Sequence, residues 1–482
     1  MAHQRIRTGV TVDGFLIGQR IHTGTMAVIW EATHPDIDLP LLMKVPLLAE
    51  GTDSAAIVGF EMEQMILPRL SGPHVPRFVA AGNFSVQPYL VEERIPGTSL
   101  LPLLDKLPLP FGEVVDIGIR VATALDDLHR QHLVHLDVKP SNIMARPSGE
   151  VALIDFGLSR HNDLPDLLAE QFRLPYGTAP YMAPEQILGQ RSDPRSDQFA
   201  LGVLMYFFAT GVRPFGDPQR LSGLKRRLWR DPTPPRARRP DCPPWLQEIV
   251  LRCLEVNPAW RYPTSAQLAF ELGNAAQVKL TVRSERLRRD PFRTVLRRRF
   301  SEATTTAVRS ATAAPHDAGA PIVLVALDLV GTSEALAEEL RTTVAHLLGS
   351  LPRARVACLN VLTQGIITPD TTLDDEGRNK HIQRLVELKH WAAPLKLEDG
   401  RVTFHVVEAP LPAAAILRYV RANQVDHVVM GARASSARRT LLGSVSGDVA
   451  AHAPCTVTVV RSRRRAGADP DDLVDPEPDS KP

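Results

Sequence analysis

His135-Leu136-Asp137-Val138-Lys139-Pro140-Ser141-Asn142 sets an acid, an amine and a carboxamide within one short polar run. Downstream stand Asp155-Phe156-Gly157 and then Ala183-Pro184-Glu185; upstream stand Lys44 and Glu63. Any one of these residues reads by itself as a surface charge or a satisfied polar group. An ordered set at sensible separations reads as a site, because chance supplies one such string and hardly all of them. Further out, residues 199–212 (FALGVLMYFFATGV) form the longest apolar stretch. It is too short to span a bilayer and reads as a buried core helix. A chain of 482 residues exceeds what one hydrophobic core supports, so two or three domains are expected.

The motif set resembles the eukaryotic-like protein kinase family in its bacterial Ser/Thr form, over residues 12–273. The resemblance implies an α+β bilobal kinase fold and an ATP- and Mg²⁺-dependent transfer of the γ-phosphate to Ser/Thr hydroxyls of protein substrates. By that resemblance Lys44, in LLMKV, holds the α/β-phosphates, and Glu63, in FEMEQMIL, pairs with it. Asp137 accepts the substrate hydroxyl proton, Lys139 steadies the γ-phosphate, and Asn142 and Asp155 hold the metal. Gly24, Ile29 and Glu93 join Lys44, Asn142 and Asp155 around the nucleotide. Thr178 braces the catalytic loop, Arg261 pairs with Glu185, and Asp197 anchors the central helix. Phosphoryl transfer needs mainly positioning and charge neutralisation, which this set of groups supplies.

The departures are specific. The phosphate loop, His22-Thr23-Gly24-Thr25-Met26-Ala27, keeps only the middle glycine of the family pattern, and Leu42 stands where a smaller Ala usually meets adenine. Glu92 occupies the bulky apolar position just before the hinge. Leu136 replaces the Arg that receives an activation-loop phosphate in many kinases, and residues 158–180 offer only Ser159, Tyr176 and Thr178 as hydroxyls. The expectation is an activation segment that needs no phosphate, held by Leu164, Leu167, Leu168 and Phe172. A non-catalytic nucleotide-binding scaffold is the competing function. Retention of Lys44, Asp137 and Asp155 favours catalysis.

Residues 321–462 alternate β-rich runs (PIVLVALD, ARVACLNVL, VTFHVVE, VDHVVMG, CTVTVV) with helical stretches. That order predicts an α/β doubly wound parallel five-stranded sheet with helices on both faces. Gly431-Ala432-Arg433-Ala434 and Gly443-Ser444-Val445-Ser446 resemble the universal stress protein family, in its ATP-binding branch. The resemblance implies an adenine nucleotide near Asp328, Gly431, Arg433, Gly443, Ser444 and Ser446, at a strand-order reversal. It also implies a homodimer through the last strand; the alternatives are a domain kept for dimerisation alone, or a strand covered by another part of the chain.

Between the two lie residues 274–320. An arginine-dense run, 279–299, leads into a Ser/Thr/Ala-rich stretch that reads as a flexible linker, with Ser301, Thr304, Thr305, Thr306 and Ser310 as expected sites of autophosphorylation. The arginines lack the stacking aromatics of a single-strand binder, which argues for a solvated or docked role and against a nucleic-acid partner. Residues 463–482 read as a disordered acidic tail. A net charge of +2 gives no global case for a polyanionic partner. Four dispersed cysteines, no secretory leader and no membrane span fit a cytoplasmic protein.

Overall fold

The computed structural model describes residues 6–24, 27–47, 54–172, 175–300, 320–363, 373–374, 379–398, 400–432 and 443–461. Arg433, the hydroxyls of residues 301–310 and the tail from 463 lie outside them. The chain divides into two compact units, 1–319 with 371–382, and 320–370 with 383–482.

In the first unit, β1 (Thr11–Val12), β2 (Phe15–Thr23), β3 (Ala27–His34), β4 (Ile37–Pro46), β5 (Phe78–Ala81) and β6 (Leu90–Glu93) form an antiparallel sheet in the order β1-β2-β3-β4-β6-β5. Side chains alternate across a strand, so Leu41 and Met43 enter a core with Phe15, Ile17, Ala32, Tyr89 and Val91, while Leu42 and Lys44 take the opposite face. Helix α1 (Ser54–Ile66) brings Glu63 to Lys44. A Cβ on Gly59 would lie 3.2 Å from the Gly157 carbonyl oxygen, and one on Gly157 equally close to that of Gly59. Two glycines back to back thus let α1 approach the Asp155-Phe156-Gly157 turn.

Short strands frame the loop of residues 135–142: β7 (Thr98–Ser99), β9 (Ile143–Ala145) and β10 (Val151–Leu153) in one sheet, β8 (Leu133–Val134) and β11 (Arg160–His161) in another. Among the helices, α2 (Phe111–Arg130) packs on β8, β10 and α5 (Arg195–Thr210), while α3 (Leu167–Gln171) meets α1 and α4 (Pro184–Ile187) precedes α5. Helix α2 buries Val114, Ile117, Val121, Leu125 and Leu128, a stripe at helical spacing. The apolar stretch of residues 199–210 is the body of α5, buried all round and stopped by Gly211 at φ 73°. Helices α6 (Leu221–Leu224), α7 (Pro235–Arg238), α8 (Pro244–Cys253) and α9 (Ser265–Gly273) follow. Among the described residues no helix is long and apolar enough to cross a membrane.

Order continues past residue 273 through α10 (Val282–Glu285) and α11 (Phe292–Arg299). The arginine run is docked: Arg283 bonds Glu248 and Glu255, Arg286 bonds Asp231, and Arg298 bonds Asp231 and Asp290. Gln247 donates to the carbonyls of Arg283, Ser284 and Arg286. Glu248, Glu255 and Asp231 face the run from elsewhere in the unit, which composition alone cannot reveal, while Asp290 belongs to the run itself.

The second unit contains β12 (Ile322–Ala326), α12 (Glu334–Ser350), β13 (Arg355–Thr363), β14 (Val402–Ala409), α13 (Pro412–Ala422), β15 (His427–Gly431), α14 (Ser444–His452) and β16 (Thr456–Val460). All strand pairs are parallel, in the order β14-β13-β12-β15-β16, as the alternating sequence pattern requires. One face buries Leu324, Ala357, Leu359 and Val428 against Ile416, Val420 and Val449.

Glu185 and Arg261 form a bidentate pair at 2.6 and 2.8 Å, both side chains 0% exposed, with Ser196 Oγ donating to Glu185 as well. Arg261→Ala leaves a buried carboxylate without its cation, and the first unit should lose about 3–5 kcal/mol. Chemical denaturation reads the loss; an unchanged midpoint refutes the role given to this pair.

Candidate functional site

The site is built from Asp137 outward. Its carboxylate is 4% exposed and meets four donors: Thr178 N at 2.9 Å and Thr178 Oγ1 at 2.7 Å on Oδ1, Lys139 Nζ at 2.6 Å and Asn142 Nδ2 at 3.2 Å on Oδ2. Burial works to raise its pKa, but Lys139, Thr178 and His135 together hold it below the ordinary value. Asp137 is therefore a fixed carboxylate. Lys139 also donates to Thr178 Oγ1 at 3.1 Å, so the loop and the segment carrying Thr178 close on one another.

The loop's backbone is tied from below. Asp197, at the start of α5, accepts from His135 N and Leu136 N, both at 2.8 Å, and from His129 Nε2 at 2.9 Å. Leu136 sits at φ 64°, a strained region for a branched residue, and its carbonyl accepts from Gln186 Nε2 at 2.9 Å.

On the sheet side, Lys44 Nζ lies 2.7 Å from Glu63 Oε1, which also accepts from Phe156 N at 3.3 Å. One carboxylate oxygen thus joins the sheet, α1 and the turn bearing Asp155. Asp155, at φ 70°, has its carboxyl pushed up by burial and then by Glu63, against the pull of Lys44. Ile29 pairs in register with Lys44, and Gly24 N donates to Ala27 O at 2.9 Å, closing the hairpin of the phosphate loop. The Glu93 carboxylate is taken by Arg146 at 2.7 Å and by Arg77 N, and its own N–H donates to Arg77 O at 2.9 Å.

Three features escape sequence reasoning. Glu92, flagged only as an oddity, is 2% exposed and 2.9 Å from Lys44. Arg227, which no motif singles out, is 1% exposed and donates to the carbonyls of Ala179, Pro180 and Met182, just after Thr178. Burial pushes its pKa down to about 10. Asp166 gathers Arg191 Nε at 2.8 Å and Arg160 Nη1 at 3.4 Å while capping α3 through Ala169 N. No spacing rule links these positions; only the fold does. Leu164, Leu167 and Leu168 are buried as expected, and Phe172 is half-buried with its ring edge-on to Tyr176.

In the second unit, Asp328 follows β12 and its Oδ1 accepts from Gly331 N. Gly431 ends β15, where a Cβ would come 2.9 Å from the Leu336 side chain, so packing alone accounts for this glycine. Gly443 precedes α14; Ser444 is exposed, and Ser446 is buried with its hydroxyl donating to Gly443 O.

Residues 15–271 match the family model described as protein kinase domain, and residues 299–461 that of the universal stress protein family. Over 270 residues the chain is 32% identical to the serine/threonine-protein kinase PknA of Mycobacterium tuberculosis, covering 55% of this chain and 62% of that protein. Over 264 residues it is 32% identical to PknL of Mycobacterium bovis, covering 55% and 66%. The chain thus spans less than two thirds of the length of these curated relatives. The crystal structure of the M. tuberculosis PknI kinase domain aligns at 27% identity and TM-score 0.45, covering 57% of this chain and all of that one.

The Asp166 contacts predict an activation segment ordered by its own carboxylate. Asp166→Ala should open residues 158–172 to limited proteolysis, whereas phosphatase treatment of the parent protein should leave the cleavage pattern as it was. Equal resistance in the variant, or new cleavage after phosphatase, contradicts this account.

Proposed function

Since the chain belongs to the protein kinase domain family, we propose that it transfers the γ-phosphate of ATP to Ser or Thr hydroxyls of protein substrates. The observation that carries the reading is the closed contact of Lys139 with both Asp137 and Thr178. It holds a carboxylate and an ammonium at one point, where a substrate hydroxyl and a phosphoryl group would have to meet. Asp137, kept ionised, orients the hydroxyl and takes its proton; Lys139 offers charge to the transferred group. Lys44 holds the remaining phosphates, and Glu63 holds Lys44.

Asn142 and Asp155 fit Mg²⁺ by chemistry: both offer hard oxygen donors, and Asp155 lies among carboxylates whose repulsion a cation would relieve. When bound, the ion would neutralise phosphate charge. Lys139, two residues after Asp137, is the Ser/Thr form of this loop, with Thr178 bracing it, which favours aliphatic hydroxyls as acceptors.

For the second unit we read an adenine-nucleotide site at the reversal of strand order between β12 and β15, beside Asp328, Gly431, Gly443, Ser444 and Ser446, with β16 as a dimer edge. The nucleotide bound there would tune the output of the kinase. Four free cysteines suit a reducing, cytoplasmic setting.

Purified protein with labelled ATP and Mg²⁺ should incorporate phosphate into itself or an added protein, and Asp137→Asn or Lys44→Ala should abolish this with the fold intact. Activity at the parent level in either folded variant removes the mechanism. Separately, Gly443→Glu should abolish a calorimetric ATP signal from the second unit. Absence of that signal in the parent protein rejects the sensor.

A further inference from the structure

Lys44 has two carboxylate partners, and the second comes from an unexpected place. Glu92 Oε1 lies 2.9 Å from Lys44 Nζ, close to the 2.7 Å of the Glu63 bond. The two acids are carried differently. Glu63 sits on α1, whereas Glu92 sits on β6, hydrogen-bonded directly to β4 in the register Leu42↔Glu92 and Lys44↔Leu90. Residues directly opposite on paired strands share a face, and Leu42 and Lys44, two apart, share one too. Glu92 and Lys44 therefore project together from one ladder.

We infer that Glu92 is a second positioning residue for Lys44, holding its ammonium from within the sheet independently of where α1 stands. This rests on the kinase reading above. Glu92 is 2% exposed, and its other oxygen, Oε2, has no hydrogen-bond partner among the described residues. Burying a carboxylate is costly unless a cation meets it, and here the cation is Lys44. Lys44 offsets only part of that cost: burial, with Glu63 and Asp155 nearby, still pushes the Glu92 carboxyl up to about 7. Burial works to strip Lys44 of its proton, but Glu63, Glu92 and Asp155 outweigh it and keep the group an ammonium. With a single acid on a helix, displacement of that helix strands the lysine. Here displacement of α1 leaves Glu92 in place, because the β4–β6 backbone ladder does not pass through α1.

The test compares Glu63→Gln, Glu92→Gln, Glu92→Met and Glu63→Gln/Glu92→Gln in the full chain. Met restores the bulky apolar side chain usual at this position and guards against a variant that fails to fold; denaturation midpoints check each protein. Two readouts are taken: labelling of Lys44 by an amine-reactive reagent, followed by mass spectrometry, and the KM and kcat for Mg·ATP. Each single Gln variant should keep Lys44 largely protected. The double variant should be labelled, and its KM for ATP raised, about tenfold beyond the product of the single effects, as for residues that share a partner. Simple multiplication of the single effects overturns the inference, as does tighter Mg·ATP binding in Glu92→Gln and Glu92→Met, which would make Glu92 a competitor of the phosphates. Absence of phosphate transfer in the parent protein would sink the kinase reading, yet the labelling of Lys44 would still decide the role of Glu92.

Discussion

A carboxylate taken out of water must be met by donors, and this requirement organises the first unit. Asp137, Asp197, Glu185, Glu63, Asp166 and Glu248 are each buried or nearly so, and each is served by groups far away in sequence. Asp197 fixes the loop backbone, Asp137 fixes Thr178, and Glu63 fixes the turn at Phe156 to the lysine on β4. A series of local neutralisations thereby becomes a geometry. Moving a donor away from any of these carboxylates removes part of what offsets an anion in a low-dielectric interior.

The glycine pair Gly59 and Gly157 shows the steric side of the same arrangement. The bond from Phe156 N to Glu63 needs α1 close to the turn, and a side chain at either position would hold them apart. Electrostatics asks for proximity and the absence of two Cβ atoms permits it.

Much of this was legible in the residues. The ordered set from Lys44 to Glu185 picked out residues that the fold brings together, residues 199–210 gave a core helix, and the alternation after residue 321 gave a parallel sheet with the observed number of strands. Motif residues carry a local signature because neighbouring positions act on the same atoms. Arg227 carries none: its role lies in three carbonyl oxygens of residues 179–182, brought beneath it by the fold. The same holds for the run 279–299, which reads as solvated or docked; that it is docked emerges only with Glu248, Glu255 and Asp231 opposite its arginines. Glu92 was visible as a misfit, but its partner emerged only with the register of β6 on β4.

The clamp on Asp166 bears on memory. A phosphate placed on an activation segment is a written mark: it records that a kinase has met its activator, and an opposing enzyme can erase it. An encoded aspartate bound by Arg160 and Arg191 cannot be written or erased. At that position the molecule keeps no history.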